Sequence, residues 1–123
     1  MAQDIAGLGI FDWDMATQRI TYNPWQERLL GMPVGSFDGR LESWAATVHP
    51  DDAATVLGKV NAAMAAQAPR VEYQYRVLLP DGSHRWLQGL GGFTYDAAGT
   101  ATRMQGINLD ITERVQAEQR LRS

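Results

Sequence analysis

The chain has 123 residues, 45% of them apolar, which suits a single domain with one hydrophobic core. Its net charge of −3 gives no general attraction to nucleic acid, and the absence of cysteine excludes disulfides, thiolate nucleophiles and zinc–thiolate sites. No apolar run approaches the roughly 20 residues of a membrane-spanning helix, and the N-terminus lacks a signal-peptide pattern. We therefore expect a cytoplasmic domain without membrane insertion.

The N-terminal half predicts a hairpin followed by short helices. Apolar and polar side chains alternate from Phe11 to Met15, as in a half-buried strand, and residues 19–22 favour its partner. Asn23 and Pro24 form a helix-start signal, since asparagine caps helices and proline suits the first helical position. Apolar residues spaced by three and four in residues 41–48 predict a second short helix.

The segment His49-Pro50-Asp51-Asp52 precedes an alanine-rich helix that we expect to extend to Gln67. Histidine beside carboxylates could ligate a metal. Proline followed by acidic residues is also a strong helix start, because the helix dipole favours negative charge there. The sequence offers no second cluster of ligands, so we favour the helix start. The residues predicted to share one face of this helix are Val56, Val60, Ala63, Met64 and Gln67.

The C-terminal half predicts three antiparallel strands joined by tight turns. Apolar residues occupy every second position from Val71 to Leu79, and turn signals follow at residues 80–83 and 96–99. Further strands are predicted at 85–95 and 102–109. Both faces of the 85–95 strand are apolar, with Trp86 and Leu90 on one and Leu87 and Phe93 on the other. The sequence therefore does not decide which face points inward.

The glycine-rich run at residues 89–92 lies within a predicted strand and begins no helix, so it is not a phosphate loop. It is typical of a bend or of a close approach of another backbone. The order of elements predicts an α+β fold, a five-stranded antiparallel sheet with short helices on one face and a C-terminal helix.

The motifs HPDD, PDGSHRWLQG and GINLDITER, in this order and spacing, resemble those of a PAS domain with a PAC motif. The resemblance covers about residues 8–114. It implies an N-terminal flank at 1–7, a sensory domain at 8–110 and the start of an output or coiled-coil helix at 111–123. Within the domain it implies core helices at 23–67 and a three-stranded meander at 70–110.

The resemblance also implies a pocket between the sheet and the longest helix. Aromatic and apolar side chains there can line a cavity or simply fill a core, and the sequence leaves both open. The candidate pocket residues are Trp25, Trp44, Val56, Val60, Met64, Tyr73, Tyr75, Leu90, Met104 and Gly106.

The sequence excludes one cofactor that related domains bind and disfavours another. Light-sensing relatives form a flavin photoadduct on a cysteine, and this chain has none. Haem-binding relatives supply an axial histidine from the long helix, and residues 51–67 contain no histidine, which disfavours haem. A non-covalent flavin or a small metabolite stays open.

Asp12 and Asp14 lie on one face of the first predicted strand. Paired carboxylates can act as acid and base, but on an edge hairpin they are more often solvated or paired with arginine. We favour the structural interpretation. The resemblance implies a contact between one of them and the terminal Asp-Ile-Thr segment at 110–112.

The C-terminal helix has few apolar residues to pack. Asp110 and Glu113 have the spacing of a capping box, and about twelve residues are marginal as an isolated helix in water. We expect this helix to pair with its copy in a homodimer and to transmit a signal. The candidate transmission residues are Asp110, Ile111, Thr112, Glu113 and Arg114.

We therefore expect a non-enzymatic sensor or relay of bacterial two-component or cyclic-di-GMP signalling. A small ligand or partner would bind between sheet and helices, and the change would reach an effector such as a histidine kinase, diguanylate cyclase or phosphodiesterase. The alternative is a ligandless dimerisation or spacer module with a solid core. Catalysis and metal binding are least favoured, because the sequence offers no nucleophile–base pair or metal constellation.

Overall fold

The computed structural model describes residues 7–122, so residues 1–6 of the predicted flank and Ser123 fall outside the described residues. The predicted fold class is confirmed: a five-stranded antiparallel sheet is covered by helices, and a further helix follows the last strand. The elements are, in chain order, β1 (Gly9–Asp14), β2 (Arg19–Tyr22), α1 (Pro24–Leu29), α2 (Leu41–Ala45), α3 (Pro50–Ala65), β3 (Arg70–Leu78), β4 (His84–Tyr95), β5 (Ala101–Asp110) and α4 (Thr112–Arg122).

The strand order across the sheet is β2-β1-β5-β4-β3. The N-terminal hairpin joins the C-terminal meander through β1 and β5, which pair Phe11 with Gly106 and Trp13 with Met104. The edge strands β2 and β3 are therefore the two that flank α1, α2 and α3 in the sequence. This connection carries the three helices across one face of the sheet, which becomes the inner face.

The inner face of β4 carries Leu87 and Phe93, which resolves the orientation that the sequence left open. Leu87 is fully buried, and Phe93 packs against the core. Leu90 is 38% exposed on the outer face. The outer face also carries Trp86, whose ring lies 5.5 Å from the guanidinium carbon of Arg76 on β3.

Two glycines of β4 permit close packing on the inner face. A Cβ atom at Gly89 would overlap the ring of Tyr73, and one at Gly91 would overlap the side chain of Met104. Side chains of the neighbouring strands make the close approach at these two glycines, whereas the sequence predicted a bend or the approach of another backbone. Only glycine leaves room for these two side chains, because any other residue would place its Cβ atom in the same space.

The helix-start interpretation of residues 49–52 is confirmed. His49 precedes α3, and its Nδ1 accepts a hydrogen bond of 3.2 Å from the N–H of Asp51. Asp52 accepts from Arg76 on β3 through both carboxylate oxygens, at 2.8 and 2.9 Å, and also from the Arg76 backbone N–H. The acidic start of α3 is thereby tied to the sheet.

The helix is shorter than the sequence predicted. It ends at Ala65, and Gln67 has a φ of 54°, in the left-handed region, so Gln67 cannot share the face of Val56 and Val60. An alanine-rich sequence favours helix at every position and gives no signal for where the last turn ends.

The predicted contact between the paired aspartates and the 110–112 segment is wrong. Asp12 and Asp14 point from β1 toward Arg103 of the adjacent β5, whose guanidinium lies 2.9 Å from Asp12 and 3.5 Å from Asp14. Gln105 also donates to Asp12 at 2.9 Å. The antiparallel register places Asp12 opposite Gln105 and Asp14 opposite Arg103, so both aspartates lie several residues along the sheet from the 110–112 segment. The structural interpretation itself is supported by the ion pairs.

Candidate ligand cavity and helix junction

A cavity of about 50 Å³ lies between the inner face of the sheet and the helices. Strands β1, β2, β3 and β5 supply one wall, and α1, α2 and α3 supply the other. Six of the ten predicted pocket residues line it. They are Trp44, Val56, Val60, Tyr73, Tyr75 and Met104. Their binding a ligand remains a prediction.

The other four predicted residues lie elsewhere. Leu90 faces outward, and Trp25 lies on α1 away from its buried side, with the Arg28 guanidinium carbon 4.8 Å from its ring. Met64 packs against the core without lining the cavity. Gly106 faces inward, but the ring of Phe11 fills the space above it. The spacing of apolar residues does not decide which way a strand faces, how a helix is rotated or how deeply a side chain packs. These three properties account for the four errors.

A buried chain of polar side chains lines the cavity, and the sequence reasoning missed most of it. The Tyr75 hydroxyl donates to Asn108 Oδ1 at 2.8 Å, and Asn108 Nδ2 donates to Gln26 Oε1 at 3.0 Å. Gln26 and Asn108 are 1% and 2% exposed. The chain connects β3, β5 and α1. Asn108 shares the inward parity of Met104, so an amide at that position was a visible signal of a polar inner face.

The cavity is uncharged. Among the described residues, none that lines it carries a formal charge. Burial raises the pKa of the Tyr22, Tyr73 and Tyr75 hydroxyls above the ordinary tyrosine value. Their hydroxyls therefore stay protonated at neutral pH, and the walls present aromatic rings, aliphatic groups, hydroxyls and amides.

The cavity is small, and no histidine of the described residues lines it. Its volume of about 50 Å³ is well below the roughly 300 Å³ at which pockets for drug-sized molecules begin. Neither His49 nor His84 lines it; their rings lie near each other, with centroids 6.4 Å apart. Within residues 7–122, no group of three metal-ligating side chains comes together. The site does not fit haem, and it fits a flavin only if helices and sheet separate.

The second part of the site is the junction between β5 and α4. The Ile111 N–H donates to the Trp86 carbonyl at 2.9 Å, and the Trp86 N–H donates to Thr112 Oγ1 at 3.0 Å. Asp110 Oδ1 accepts from both the N–H and the hydroxyl of Thr112, at 2.9 and 2.6 Å. Backbone and side-chain bonds together attach the first residue of α4 to β4.

Arg85 of β4 connects this junction to α1. Its Nε lies 3.3 Å from Asp110 Oδ2, and its Nη1 donates to the carbonyls of Arg28 and Leu29 at 2.9 and 2.7 Å. Asp110 Oδ1 accepts from the N–H of Thr112, where α4 begins. The N-cap position therefore belongs to Ile111, and the predicted N-cap at Asp110 is one residue too early. The predicted capping box is absent among the described residues: Glu113 makes no hydrogen bond to the Asp110 backbone, because Asp110 still belongs to β5 and pairs with Leu87.

Helix α4 buries none of its described side chains. Ile111, just before it, is 7% exposed and packs where the strand becomes helix, as predicted, whereas Leu121 near the end is 87% exposed. Arg114 and Glu118 form an ion pair of 3.7 Å one turn apart. Over residues 7–122, the helices are too short or too polar to cross a lipid bilayer.

Comparisons with known proteins identify the family. A family model described as the PAS fold matches residues 19–108. The sensor protein FixL of Bradyrhizobium diazoefficiens is 26% identical over 117 residues, which cover 95% of this chain and 23% of FixL. An uncharacterised protein of Sinorhizobium fredii, y4lL, is 36% identical over 78 residues, covering 63% of this chain and 9% of that protein. The chain therefore spans less than a quarter of the curated relatives that it matches.

A solved structure of a sensory box histidine kinase/response regulator from Burkholderia thailandensis superposes with a TM-score of 0.80 at 29% identity, covering 95% of this chain and 86% of that one. The N-terminal domain of a diguanylate cyclase with PAS/PAC sensor from Marinobacter aquaeolei gives a TM-score of 0.75 at 26% identity, covering 87% and 97%. Sequence motifs, sheet topology and both kinds of comparison agree, and the chain belongs to the PAS family.

Proposed function

We propose that this PAS domain is a non-enzymatic sensor. A small ligand binds in the cavity between sheet and helices, and the change is transmitted through α4 to an effector domain. The observation that carries the proposal is the position of α1. Gln26 of α1 lines the cavity, while the carbonyls of Arg28 and Leu29 at its end accept from Arg85, which pairs with Asp110.

Helix α1 is short enough to move as a rigid body. The helix has 6 residues, so a displacement at Gln26 moves the carbonyls that hold Arg85. A ligand shifts such an equilibrium only by its difference in affinity between the two arrangements. A molecule that separates α1 from the sheet satisfies this condition, because it contacts one arrangement and not the other.

Helix α4 suits the role of the responding element. It buries no described side chain, and its start is held by a few hydrogen bonds and the Arg85–Asp110 pair. Segments with few buried contacts open at low free energy, and elements that move in switches come from this class. A small change at the junction is therefore sufficient to alter α4.

The effector follows from the relatives. The matched proteins are described as a sensor protein, a histidine kinase/response regulator and a diguanylate cyclase with PAS/PAC sensor. We propose that this domain works in the cytoplasm within a longer protein of that kind, and that α4 pairs with its copy in a homodimer. The apolar positions available on α4 for such pairing are Val115, Ala117 and Leu121.

The small cavity volume favours a second candidate, a ligandless dimerisation or spacer module. Here about 50 Å³ is an ordinary packing defect, and the domain only sets the distance and pairing of its neighbours. The two candidates differ in whether anything binds between α3 and β3.

Thermal-shift and native mass spectrometry screens of a metabolite library test the proposal. A sensor gains stability with at least one compound, and Val60→Phe, which fills the cavity from α3, abolishes that gain. Thr55→Phe places the same side chain on an exposed position of α3 and retains it. If no compound binds, the spacer is favoured; a compound that binds Val60→Phe as well as the wild type does not occupy the cavity and contradicts the proposed site.

A further inference from the structure

We infer that the cavity takes a small uncharged molecule with a carbonyl-type acceptor, and that this acceptor receives the indole Nε1–H of Trp13. The inference rests on the proposed sensor function and specifies the ligand's chemistry. It begins from one atom. Trp13 lines the cavity, and its Nε1 is buried without a hydrogen-bond partner among the described residues.

A buried N–H without an acceptor is rare, because the group loses water and gains nothing in return. The neighbouring polar groups do not supply the acceptor. Tyr75 donates to Asn108 Oδ1, Asn108 donates to Gln26 Oε1, and neither oxygen accepts from Trp13. Trp13 lines the cavity and its donor has no partner, so an acceptor that enters beside the indole would satisfy it.

The walls of the cavity also favour an uncharged ligand. Among the described lining residues there is no cation or carboxylate, and the buried tyrosine hydroxyls remain protonated. A charged molecule would give up its hydration and find no counter-ion. A neutral carbonyl gives up much less and regains a hydrogen bond from the indole.

The volume limits the size of the molecule. About 50 Å³ is the space of roughly one to two water molecules, against about 150 Å³ for a cavity that holds benzene. A ketone, aldehyde or amide of a few heavy atoms matches this scale. Because Nε1 is covered when the walls are closed, the acceptor reaches it as the walls separate, which is the movement that the sensor function requires.

Acetone and acetate provide a matched pair of probes, since they have nearly the same shape and differ in charge. The measurement is the 15N–1H spectrum of the indole groups during titration of the whole chain. The Trp13 signal is assigned by its loss in Trp13→Phe, or by elimination with Trp25→Phe, Trp44→Phe and Trp86→Phe if that variant does not fold. Trp25 and Trp86 lie outside the cavity and report general solvent effects.

We expect acetone to shift the Trp13 indole proton downfield with saturation, while acetate leaves it unchanged. Trp13→Phe should weaken acetone binding by about five- to tenfold, the value of one neutral hydrogen bond. Equal responses to acetone and acetate, or parallel shifts of Trp25 and Trp86, would overturn the inference. A library compound that is charged and binds in the cavity would also overturn it while leaving the sensor function standing. Failure of every compound to bind would remove both.

Discussion

Arg85 Nε lies 3.3 Å from Asp110 Oδ2, and the same guanidinium donates to the last carbonyls of α1. One side chain of β4 therefore joins the helix that reaches the cavity to Asp110, the last residue of β5 before the C-terminal helix. The Asp110 side chain is 42% exposed, so this ion pair adds little to global stability. Its position gives it a larger role in holding α4 than in holding the fold.

Replacing Asp110 should separate these two roles. Asp110→Ala removes both the pair with Arg85 and the acceptor for Thr112, so α4 should exchange its amide hydrogens faster while the free energy of unfolding falls by only about 1 kcal/mol. In the full-length protein this variant should uncouple ligand binding from output. Hydrogen exchange and denaturant unfolding measure the first two effects.

Asp110→Asn is the matched control, because it retains an oxygen for Thr112 and loses the charge that pairs with Arg85. It should protect the first turn of α4 better than Asp110→Ala and still reduce coupling. Unchanged output in both variants would remove Asp110 from the transmission route.

The buried Tyr75–Asn108 hydrogen bond should contribute measurably to the stability of the core. Tyr75→Phe leaves Asn108 Oδ1 without its donor, so the free energy of unfolding should fall by about 1–3 kcal/mol. Tyr73→Phe is the control, since that hydroxyl makes no hydrogen bond to a described residue and its removal should cost less. Urea denaturation compares the two variants, and equal losses would argue against the network.

The glycines of β4 and α3 should respond in opposite directions to alanine. Gly89→Ala places a methyl group inside the ring of Tyr73, which costs about 1–3 kcal/mol or prevents folding. Gly58→Ala lies in α3 with nothing within 4 Å of the new methyl, so it should stabilise the protein by about 0.5–1 kcal/mol. Thermal melts of both variants check the direction of each change.

Acid should weaken the domain partly through Asp52. The hydrogen bond from Arg76 lowers the pKa of this carboxyl in the folded protein, so the unfolded chain takes up the proton first as the pH falls. Asp52 contributes its full stabilisation at pH values above its pKa in the unfolded chain, about 4. This stabilisation is lost as the pH falls through the lower pKa of the folded protein. Asp52→Asn should flatten the acid limb of the stability curve, whereas Asp51→Asn, whose side chain is 84% exposed, should leave it intact.

Most of the fold could be predicted from the sequence because most elements have a sequence signal within a few residues. Alternation in β1 and β3, the Asn23 cap and the proline after His49 each act over a few residues, and all correspond to structural elements. Strand β4 was ambiguous for the same reason: both faces are apolar, and only the pairing with β3 and β5 decides which one is buried.

The site was less accessible because it depends on distant contacts and on volume. Arg85 and Asp110 are 25 residues apart in the sequence, and nothing local indicates that they meet. Asp110 and Glu113 have the spacing of a capping box, yet Asp110 still belongs to β5 and its carboxylate pairs with Arg85 of the adjacent strand. Whether aromatic residues enclose a cavity or fill it depends on how the rings pack, as Phe11 over Gly106 shows.

The most direct test of the sensor model measures amide exchange at Val115, whose N–H donates to the Ile111 carbonyl in the first turn of α4. Wild type, Val60→Phe and the double variant Val60→Phe/Asp110→Asn are compared, with core amides of β4 as the control for global unfolding. The model predicts that filling the cavity speeds exchange at Val115 severalfold without affecting the β4 core, and that Asp110→Asn removes the difference. Identical exchange at Val115 with the cavity filled or unfilled would contradict it.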